Sequence, residues 1–349
     1  MTKKNKTQTE LAKTKNDFWA RNEASDGILL KETIKKYTVS IFRGILLKET
    51  TKKYLISIFR AILLFGMCFM IIQPIFNKIS ISVMSESDLY DTTIILIPKH
   101  FTLANWKLCS YLLEYKTTLF NTIWVSLLVS LIEVCMCSIV GYGFSRFQFP
   151  LKRFWFFCVI LIIVIPPQTI STSLFLHFRY FNFFGKTINL RGNISPYLML
   201  CFTCQGLKNG LYIYMIRQFF MGFPFELEEA AYVDGCGPLR TFVQIMVPGA
   251  KPIITSCFLF SFVWQWTDGF YANLFLGKIR LLAGNLGNIV EKLGGYIARL
   301  TGNSSIVSVA YSNAILSTAT LMSIFPLIIL YVFCQRMFVE SLASTGVKM

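Results

Sequence analysis

Long apolar runs alternate with short polar segments along most of the chain, from about residue 58 to residue 334. A run of about 20 apolar residues crosses the hydrocarbon of a bilayer as a helix, whereas open strands are excluded there because lipid cannot pair backbone amides. The pattern therefore predicts an all-α, polytopic membrane protein with six transmembrane helices. The predicted spans are 58–79, 119–143, 154–177, 194–216, 252–276 and 306–334.

Composition and charge support a membrane location. Hydrophobic residues make up 54% of the 349 residues and charged residues only 15%, with a mean hydropathy of +0.55, whereas a soluble domain usually carries about 25% charged residues. The net charge is +16, and Lys and Arg are concentrated in segments 1–60, 144–153, 217–251 and 335–349. The positive-inside rule places these segments, and so both termini, in the cytoplasm. Orientation and anionic lipid account for the excess basic charge, so nucleic-acid binding is not expected.

The N-terminal part, residues 1–57, is predicted to be a basic cytoplasmic extension ahead of a transmembrane domain at 58–349. It contains a 17-residue tandem repeat, in which residues 27–43 recur almost unchanged as 44–60. Each copy is a basic amphipathic pattern that suits a helix lying on the inner leaflet. The alternative is a duplication of the segment leading into the first span, with no role of its own.

One polar, acidic stretch between the fourth and fifth predicted spans differs from an ordinary loop. In this stretch, residues 226–248, hereafter the knuckle, glutamates open a short helix at its positive end and Asp234-Gly235 breaks it. Pro238 then starts a second helix in its first turn, and Pro248 is expected to end that helix. The sequence thus predicts a compact helical knuckle at the membrane surface.

The spacing within the knuckle resembles a known motif. Glu229-Ala230-Ala231, then Gly235, then Ile245-x-x-Pro248 is similar to the EAA loop of binding-protein-dependent ABC importer permeases. The resemblance implies a coupling helix that docks into a cleft on a cytoplasmic ATPase. The residues to which it assigns this coupling role are Glu228, Glu229, Ala230, Ala231, Asp234, Gly235, Ile245 and Pro248.

Other stretches resemble the maltose- and glycerol-phosphate-type permeases of that family and extend the similarity over most of residues 61–349. They include Leu119–Thr122, Gly141–Pro150 and Ile165-Pro166-x-Gln168, whereas residues 178–193 fit poorly. The C-terminal stretch is again similar, and in related permeases this tail reaches the ATPases. The residues that could make such a contact here are Gln335, Arg336, Gly346 and Lys348.

The resemblance implies the type I ABC importer permease fold and a place in the inner membrane of a prokaryotic cell. The chain would form half of a translocation pore for a sugar, an oligosaccharide or a glycerol phosphate. Its expected partners are a second, homologous permease in a heterodimer, two ABC ATPase subunits and an extracytoplasmic substrate-binding protein. ATP and Mg would be bound by the ATPase. A permease of the same architecture for another solute class is the first alternative.

Motifs for chemistry are weak in this chain. Gly185-Lys186-Thr187 has the end of a P-loop pattern, but Tyr180 occupies the position of its first glycine. Neither His100 nor His177 has metal-ligand spacing, and Cys201-x-x-Cys204 lies in an apolar helix without a His or acidic partner. We therefore expect no enzyme activity, no cofactor and no metal site in this polypeptide. An integral-membrane enzyme acting on lipid is the alternative from another class.

Polar residues inside the predicted spans are candidates for the solute path, because a charge at the centre of a membrane helix is costly unless it is paired or hydrated. They are Glu133, Lys208, Trp266 and Asp268. Glu133 and Lys208 could form one buried ion pair. The alternative for each residue is a structural polar contact between helices.

Overall fold

The computed structural model describes residues 51–91, 93–94, 96–302 and 307–346, together with residues 35, 36 and 38. The first copy of the tandem repeat lies outside the described residues except for Lys35, Lys36 and Thr38, which are helical, and the second copy is described from residue 51 onward. Lys348 also lies outside them. Beyond residue 335 the description is limited to the backbone, so the side chain of Arg336 is not described.

The chain divides into two compact units, Met1–Ile75 and Phe76–Met349. The first described helix, α1, is Thr51–Ser82, and it runs without a break through the domain boundary expected at residue 57. The described residues of the second unit are mainly helical and include one small hairpin. The helices of this unit are α2 Glu86–Tyr90, α3 Ala104–Leu113, α4 Tyr115–Arg146, α5 Lys152–Val164, α6 Ser171–Arg179, α7 Ser195–Phe202, α8 Asn209–Met221, α9 Glu226–Val233, α10 Pro238–Thr241, α11 Val247–Gly249, α12 Lys251–Thr267, α13 Phe270–Phe275, α14 Leu282–Gly287, α15 Ile289–Thr301 and α16 Val309–Gly346.

Three helices of the described chain are long and apolar enough to cross a membrane unaided: Thr51–Ser82, Tyr115–Arg146 and Val309–Gln335. Two bent pairs of helices are long and apolar enough only when each pair is taken together: Lys152–Val164 with Pro167–Arg179, at 98°, and Pro238–Gly249 with Lys251–Thr267, at 78°. A bend of this size fits either a broken span or a re-entrant loop. The all-α membrane fold is confirmed. The count of six spans stays a prediction, because by length and composition the described residues provide up to five.

The third, fourth and fifth predicted spans are wrong as single helices. The third, 154–177, is broken between α5 and α6 by the bend at Pro166-Pro167. Residues 194–216 form α7 and α8, which are separated by a non-helical segment in which Cys204 and Lys208 have positive φ angles of 56° and 66°. In 252–276, α12 ends at Thr267, because the carboxylate of Asp268 accepts the backbone N–H groups of Phe270 and Tyr271 and so starts α13. A hydropathy pattern measures how apolar a segment is. These short interruptions change the mean hydropathy of the segment very little, so the pattern does not show them.

Helix α4 lies at the centre of the second unit and packs against α8 and α12 around an apolar core that includes Tyr212, Ile216 and Cys257. Several of its buried hydroxyl groups donate to carbonyls one turn back, for example Thr122 to Thr118 and Ser138 to Val134, both at 2.7 Å. Polar side chains satisfied in this way fit a helix inside lipid.

The poorly fitting segment 178–193 contains a β-hairpin, with strands β1 Phe181–Phe183 and β2 Lys186–Ile188. The strands are antiparallel, and Phe183 pairs with Lys186. The two turn residues, Phe184 and Gly185, both have positive φ angles, as a two-residue hairpin turn requires. This hairpin is a departure from the helical prediction.

Between α1 and α3, a short connection is fixed by Asp88. The backbone N–H of His100 donates to its carboxylate at 2.7 Å, and the His100 ring lies at the same distance. The hydrogen bond from the backbone N–H of His100 lowers the pKa of Asp88 most, and the hydrogen bond and charge of the His100 ring lower it further. The connection is therefore held by a carboxylate that stays ionised.

Candidate functional site

The knuckle forms as the sequence predicts. Helix α9 begins at Glu226, with three glutamates in its first turn, and Gly235 breaks the chain with a φ of 80°. Helix α10 begins at Pro238, as expected. A left-handed residue is strained unless it is glycine, so Gly235 sets the angle between the two helical parts.

The second helical part of the knuckle ends at Gly249, one residue after Pro248, at which the sequence predicts its end. Residues Phe242–Met246 form a π-helical turn, and Pro248 lies within the following turn, Val247–Gly249. A π turn shifts the hydrogen-bond register of the backbone, so the missing N–H of a proline just after it is accommodated within the last turn. The direction changes at Ala250, where the 78° bend leads into α12.

The knuckle is fixed to the end of α4 through Glu228. This residue is only 1% exposed, and its carboxylate accepts hydrogen bonds from the hydroxyl group of Tyr142, at 3.2 Å, and from Nε of Arg146. Arg146 also donates from Nη2 to the carbonyl of Phe223 at 2.9 Å, and its guanidinium lies over the ring of Phe225. Glu228 thus holds α9 to α4 and is turned away from the surface.

Tyr142 and Arg146 are candidate functional residues that sequence reasoning missed, because both hold the carboxylate of Glu228. Both lie in the stretch Gly141–Pro150, which carries part of the family resemblance, so a signal was present. It could not be interpreted without the structure, because the carboxylate they contact is 82 or more residues away along the chain.

The other predicted coupling residues divide into two groups. Ala231 is buried at 3% exposure and Ile245 is half-buried, so both pack within the chain. Glu229, Ala230, Asp234, Gly235 and Pro248 are exposed. Large hydrophobic side chains of the knuckle are exposed as well, namely Leu227, Tyr232, Val233 at 87%, Leu239 at 82% and Val243. The exposed surface is therefore a mixture of apolar and acidic groups on a fixed backbone.

The C-terminal residues lie on α16 or beyond it. Gln335 is exposed, and the backbone at Arg336 and Gly346 is helical. The described residues bring none of them to the knuckle, so an ATPase contact through this tail stays a prediction.

A second candidate site is a cavity of about 770 Å³ that is lined by parts of α5, α7, α8, α12 and α13 and by the connections between them. Lys208 and Asp268 lie in its wall, as do Gln168, Gln205 and Trp264. Glu133 and Trp266 do not line it. The indole N–H of Trp266 donates to the carbonyl of Ser323 on α16 at 3.1 Å, which is a structural contact between helices.

The hypothesis of an ion pair between Glu133 and Lys208 is wrong. Glu133 is fully buried, and its carboxylate accepts hydrogen bonds from Ser261 and from Gln265, the latter at 3.3 Å. Lys208 lies at the N-terminus of α8 with a positive φ, and its ammonium group lies 5.0 Å from the centroid of the Trp264 ring. The two residues therefore have separate partners, and the second carboxylate oxygen of Glu133 is buried without a hydrogen-bond donor among the described residues. Within the described part of the chain, no group of three His, Cys, Asp or Glu side chains lies close enough to hold a metal ion.

Comparisons with known proteins agree with this architecture. Residues 135–343 match the family model described as the binding-protein-dependent transport system inner membrane component. The chain is 27% identical over 293 residues to the arabinooligosaccharides transport system permease protein AraQ of Halalkalibacterium halodurans, a match that covers 81% of this chain and 93% of that protein. It is 23% identical over 282 residues to the sn-glycerol-3-phosphate transport system permease protein UgpE of Escherichia coli, a match that covers 79% of this chain and 92% of that protein.

A solved structure is also similar. It is the crystal structure of a bacterial ABC transporter involved in the import of the acidic polysaccharide alginate, and one of its chains aligns with a TM-score of 0.65 at 22% identity. The alignment covers 81% of this chain and 96% of that one. At this level of identity the likeness concerns the fold.

Proposed function

This chain belongs to the family of binding-protein-dependent transport system inner membrane components, and from that premise we propose that its knuckle is the element through which a separate ATPase drives it. The chain is a multi-pass membrane permease subunit of an ABC importer, not an enzyme. Such subunits work with an ATPase and a substrate-binding protein. The finer assignments below concern which residues make these contacts and which solute passes.

The attachment of Glu228 to α4 is the observation that carries the proposal. Because the carboxylate of Glu228 is bound by Tyr142 and Arg146, α4 would move together with α9 when α9 is displaced. At its other end the knuckle continues through α11 into α12. Helix packing of this kind transmits rigid-body motion. A displacement of the knuckle would therefore move both α4 and α12.

The exposed side chains suit the knuckle to a protein partner. Val233 and Leu239 are apolar and largely exposed, which favours burial in a cleft. Glu229 and Asp234 at the rim would contact basic groups of the ATPase. Closure of two ATPase subunits on ATP, with Mg bound there, would then switch the cavity between inward- and outward-facing states. The C-terminal residues from Gln335 onward would add to this contact.

This proposal implies an orientation of the chain in the membrane. The knuckle, both termini and the segment 144–153 would face the cytoplasm, in agreement with the distribution of Lys and Arg. A second, homologous permease would complete the pore in a heterodimer. The solute is proposed to be a carbohydrate or a glycerol phosphate, because the named relatives serve these solutes.

The test is purification of the tagged chain from its own cell membrane in mild detergent. We expect a second permease and a nucleotide-hydrolysing subunit in the same peak, the latter at two copies per complex. ATP hydrolysis should rise when the cognate binding protein and its solute are added. A chain that purifies alone and modifies lipid would support the enzyme alternative and contradict this proposal.

A further inference from the structure

Three helices of the second unit are interrupted around the 770 Å³ cavity. The path bends by 98° at Pro166-Pro167 after α5, α8 begins at Asn209 after a non-helical segment, and α12 ends before Asp268. The ends of α4 and α8 lie close to α11, which leads into α12. The carbonyl of Phe223, just after α8, accepts a hydrogen bond from Arg146, and a Cβ added at Gly249 would lie 2.5 Å from the Phe223 ring. The helices α5, α8 and α12 therefore each have one end on the knuckle side of the bundle, hereafter the knuckle end. The distance of each interruption from this end follows from the helix length.

Helix lengths give the depth of the cavity. With a rise of 1.5 Å per residue, α5 and α8, at 13 residues each, place their interruptions about 20 Å from the knuckle end, and α12, at 17 residues, places its own about 25 Å away. The hydrocarbon core of a bilayer is about 30 Å thick. The cavity thus lies within the depth of the membrane.

A positive charge is exposed in this cavity. Lys208 is exposed, and within the described residues no carboxylate lies within ion-pair distance of its ammonium group. The nearest acidic group in the cavity wall, Asp268, is engaged by the hydroxyl group of Tyr197 at 2.6 Å and by two backbone N–H groups. Lys208 is stabilised instead by the ring of Trp264.

A charged side chain at membrane depth faces a pore or a partner rather than lipid. Trp264 is itself 45% exposed beside Lys208, and an exposed aromatic face is a surface against which the apolar side of a sugar ring packs. The two consecutive prolines supply no N–H, so the carbonyls of Ile162 and Ile163, both in the cavity wall, lack their helical donors and can accept hydroxyl groups. The wall thus offers one cation, one aromatic face and acceptors for hydroxyl groups.

We propose that Lys208 and Trp264 form a solute-binding subsite for the acid group of an anionic carbohydrate, a carboxylate or a phosphate ester. The proposal rests on the proposed function, since it names the solute class of the same pore. In the empty cavity the indole ring stabilises the ammonium group. An arriving acid group draws the ammonium away into a charge-assisted hydrogen bond, and the ring face becomes free for the sugar.

The experiment uses the purified complex of this chain with its ATPase and partner permease, reconstituted in vesicles with its binding protein. Uptake is measured for a neutral disaccharide, maltose, and for two anionic probes, a glucuronate disaccharide and sn-glycerol 3-phosphate. We expect the wild type to take up at least one anionic probe. Lys208→Met should lower that uptake by about tenfold or more, the scale of one charge-assisted hydrogen bond, while Lys208→Arg should retain most of it.

Two further variants sharpen the result. Trp264→Leu should lower uptake of the glucuronate probe more than that of the glycerol phosphate, because only the former has a ring to pack on the indole. Lys186→Met, an exposed lysine of the hairpin, is the matched control and should leave uptake of every probe unchanged. Which anionic probe is taken up distinguishes a carboxylate from a phosphate ester.

Uptake of maltose alone by the wild type, or equal uptake of anionic probe by the wild type and Lys208→Met, would overturn this inference. So would a wild-type complex that contains its ATPase and takes up none of the probes. In each case the proposed function stands as long as the ATPase is present in the complex. Absence of the ATPase from the purified complex would instead contradict the proposed function.

Discussion

The knuckle and the cavity are both built from interrupted helices, yet the interruptions differ in kind. In the knuckle they fall at Gly235 and Pro238, residues whose backbone preferences require a break. In the cavity two of them fall at Lys208 and Asp268, residues that are compatible with a continuing helix. The first region is therefore specified locally, whereas the second depends on contacts from distant parts of the chain.

This difference suits the two tasks proposed for these regions. A knuckle that is gripped by a partner needs a fixed shape, and local specification together with the bond between Glu228 and Arg146 provides it. A cavity that opens and closes needs helix ends that move, and a left-handed Lys208 is a strained residue whose conformation the surroundings must maintain. Variants that disturb each region separately test this division.

The largest effect is expected for Arg146→Met. The variant leaves the carboxylate of Glu228 buried without its cation, and breaking one side of a buried ion pair costs about 3–5 kcal/mol. We expect a marked fall in the thermal unfolding temperature of the purified complex and loss of solute-stimulated ATP hydrolysis. Arg153→Met, at an exposed position in the first turn of α5, is the control and should change neither. An unchanged complex in Arg146→Met would mean that α9 is not held to α4 by this pair.

Gly235→Pro should have a slightly smaller effect on stability but should still abolish uptake. Proline fixes φ near −65°, whereas Gly235 has a φ of 80°, and a misplaced proline costs about 3 kcal/mol. The chain should still insert into the membrane, because the change lies in an exposed turn. Gly237→Ala is the matched control, since its φ of −75° is ordinary and no atom lies within 4 Å of the added Cβ. Normal uptake by Gly235→Pro would remove the knuckle from the coupling path.

The smallest of the three effects is expected for Gly210→Ala, which acts on the cavity side. A Cβ at this position would lie 2.8 Å from the carbonyl oxygen of Val159, so α5 and α8 must separate, at a cost of about 1–3 kcal/mol. We expect a modest fall in unfolding temperature and a change in solute affinity, with the ATPase still bound. Gly143→Ala on α4, where no atom lies within 4 Å of the added Cβ, should be neutral or slightly stabilising. If Gly210→Ala released the ATPase instead, the two regions would not be separable.

Much of the fold could be predicted because lipid restricts the choices. Apolar runs had to be helices, and the acidic start of α9, the break at Gly235 and the start of α10 at Pro238 follow from local preferences. The π turn at Phe242–Met246 could not be predicted, because it has no sequence signature. The split of 194–216 at Lys208 and the short hairpin at 181–188 were missed for a similar reason, since hydropathy does not record where a helix is interrupted.

The candidate site shows the same division. Eight knuckle residues came from a motif, and the structure places them together, yet it turns Glu228 and Ala231 inward. The partners of Glu133 could not be inferred from the sequence, because Ser261 and Gln265 lie on another helix more than 120 residues away. Long-range pairing of polar groups requires knowledge of the packing.

Cross-linking from the knuckle tests the central claim most directly. Cysteine is introduced at Val233, which is 87% exposed, in a chain whose exposed and partly exposed cysteines are replaced by serine, namely Cys68, Cys135, Cys158, Cys236 and Cys334. The intact complex is treated with a short thiol cross-linker in the presence and absence of ATP. We predict a cross-link to the nucleotide-hydrolysing subunit whose yield changes with ATP, and protection of this cysteine from a membrane-impermeant thiol reagent added outside intact cells. Labelling of the cysteine from outside the cell, with no cross-link to that subunit, would contradict the account.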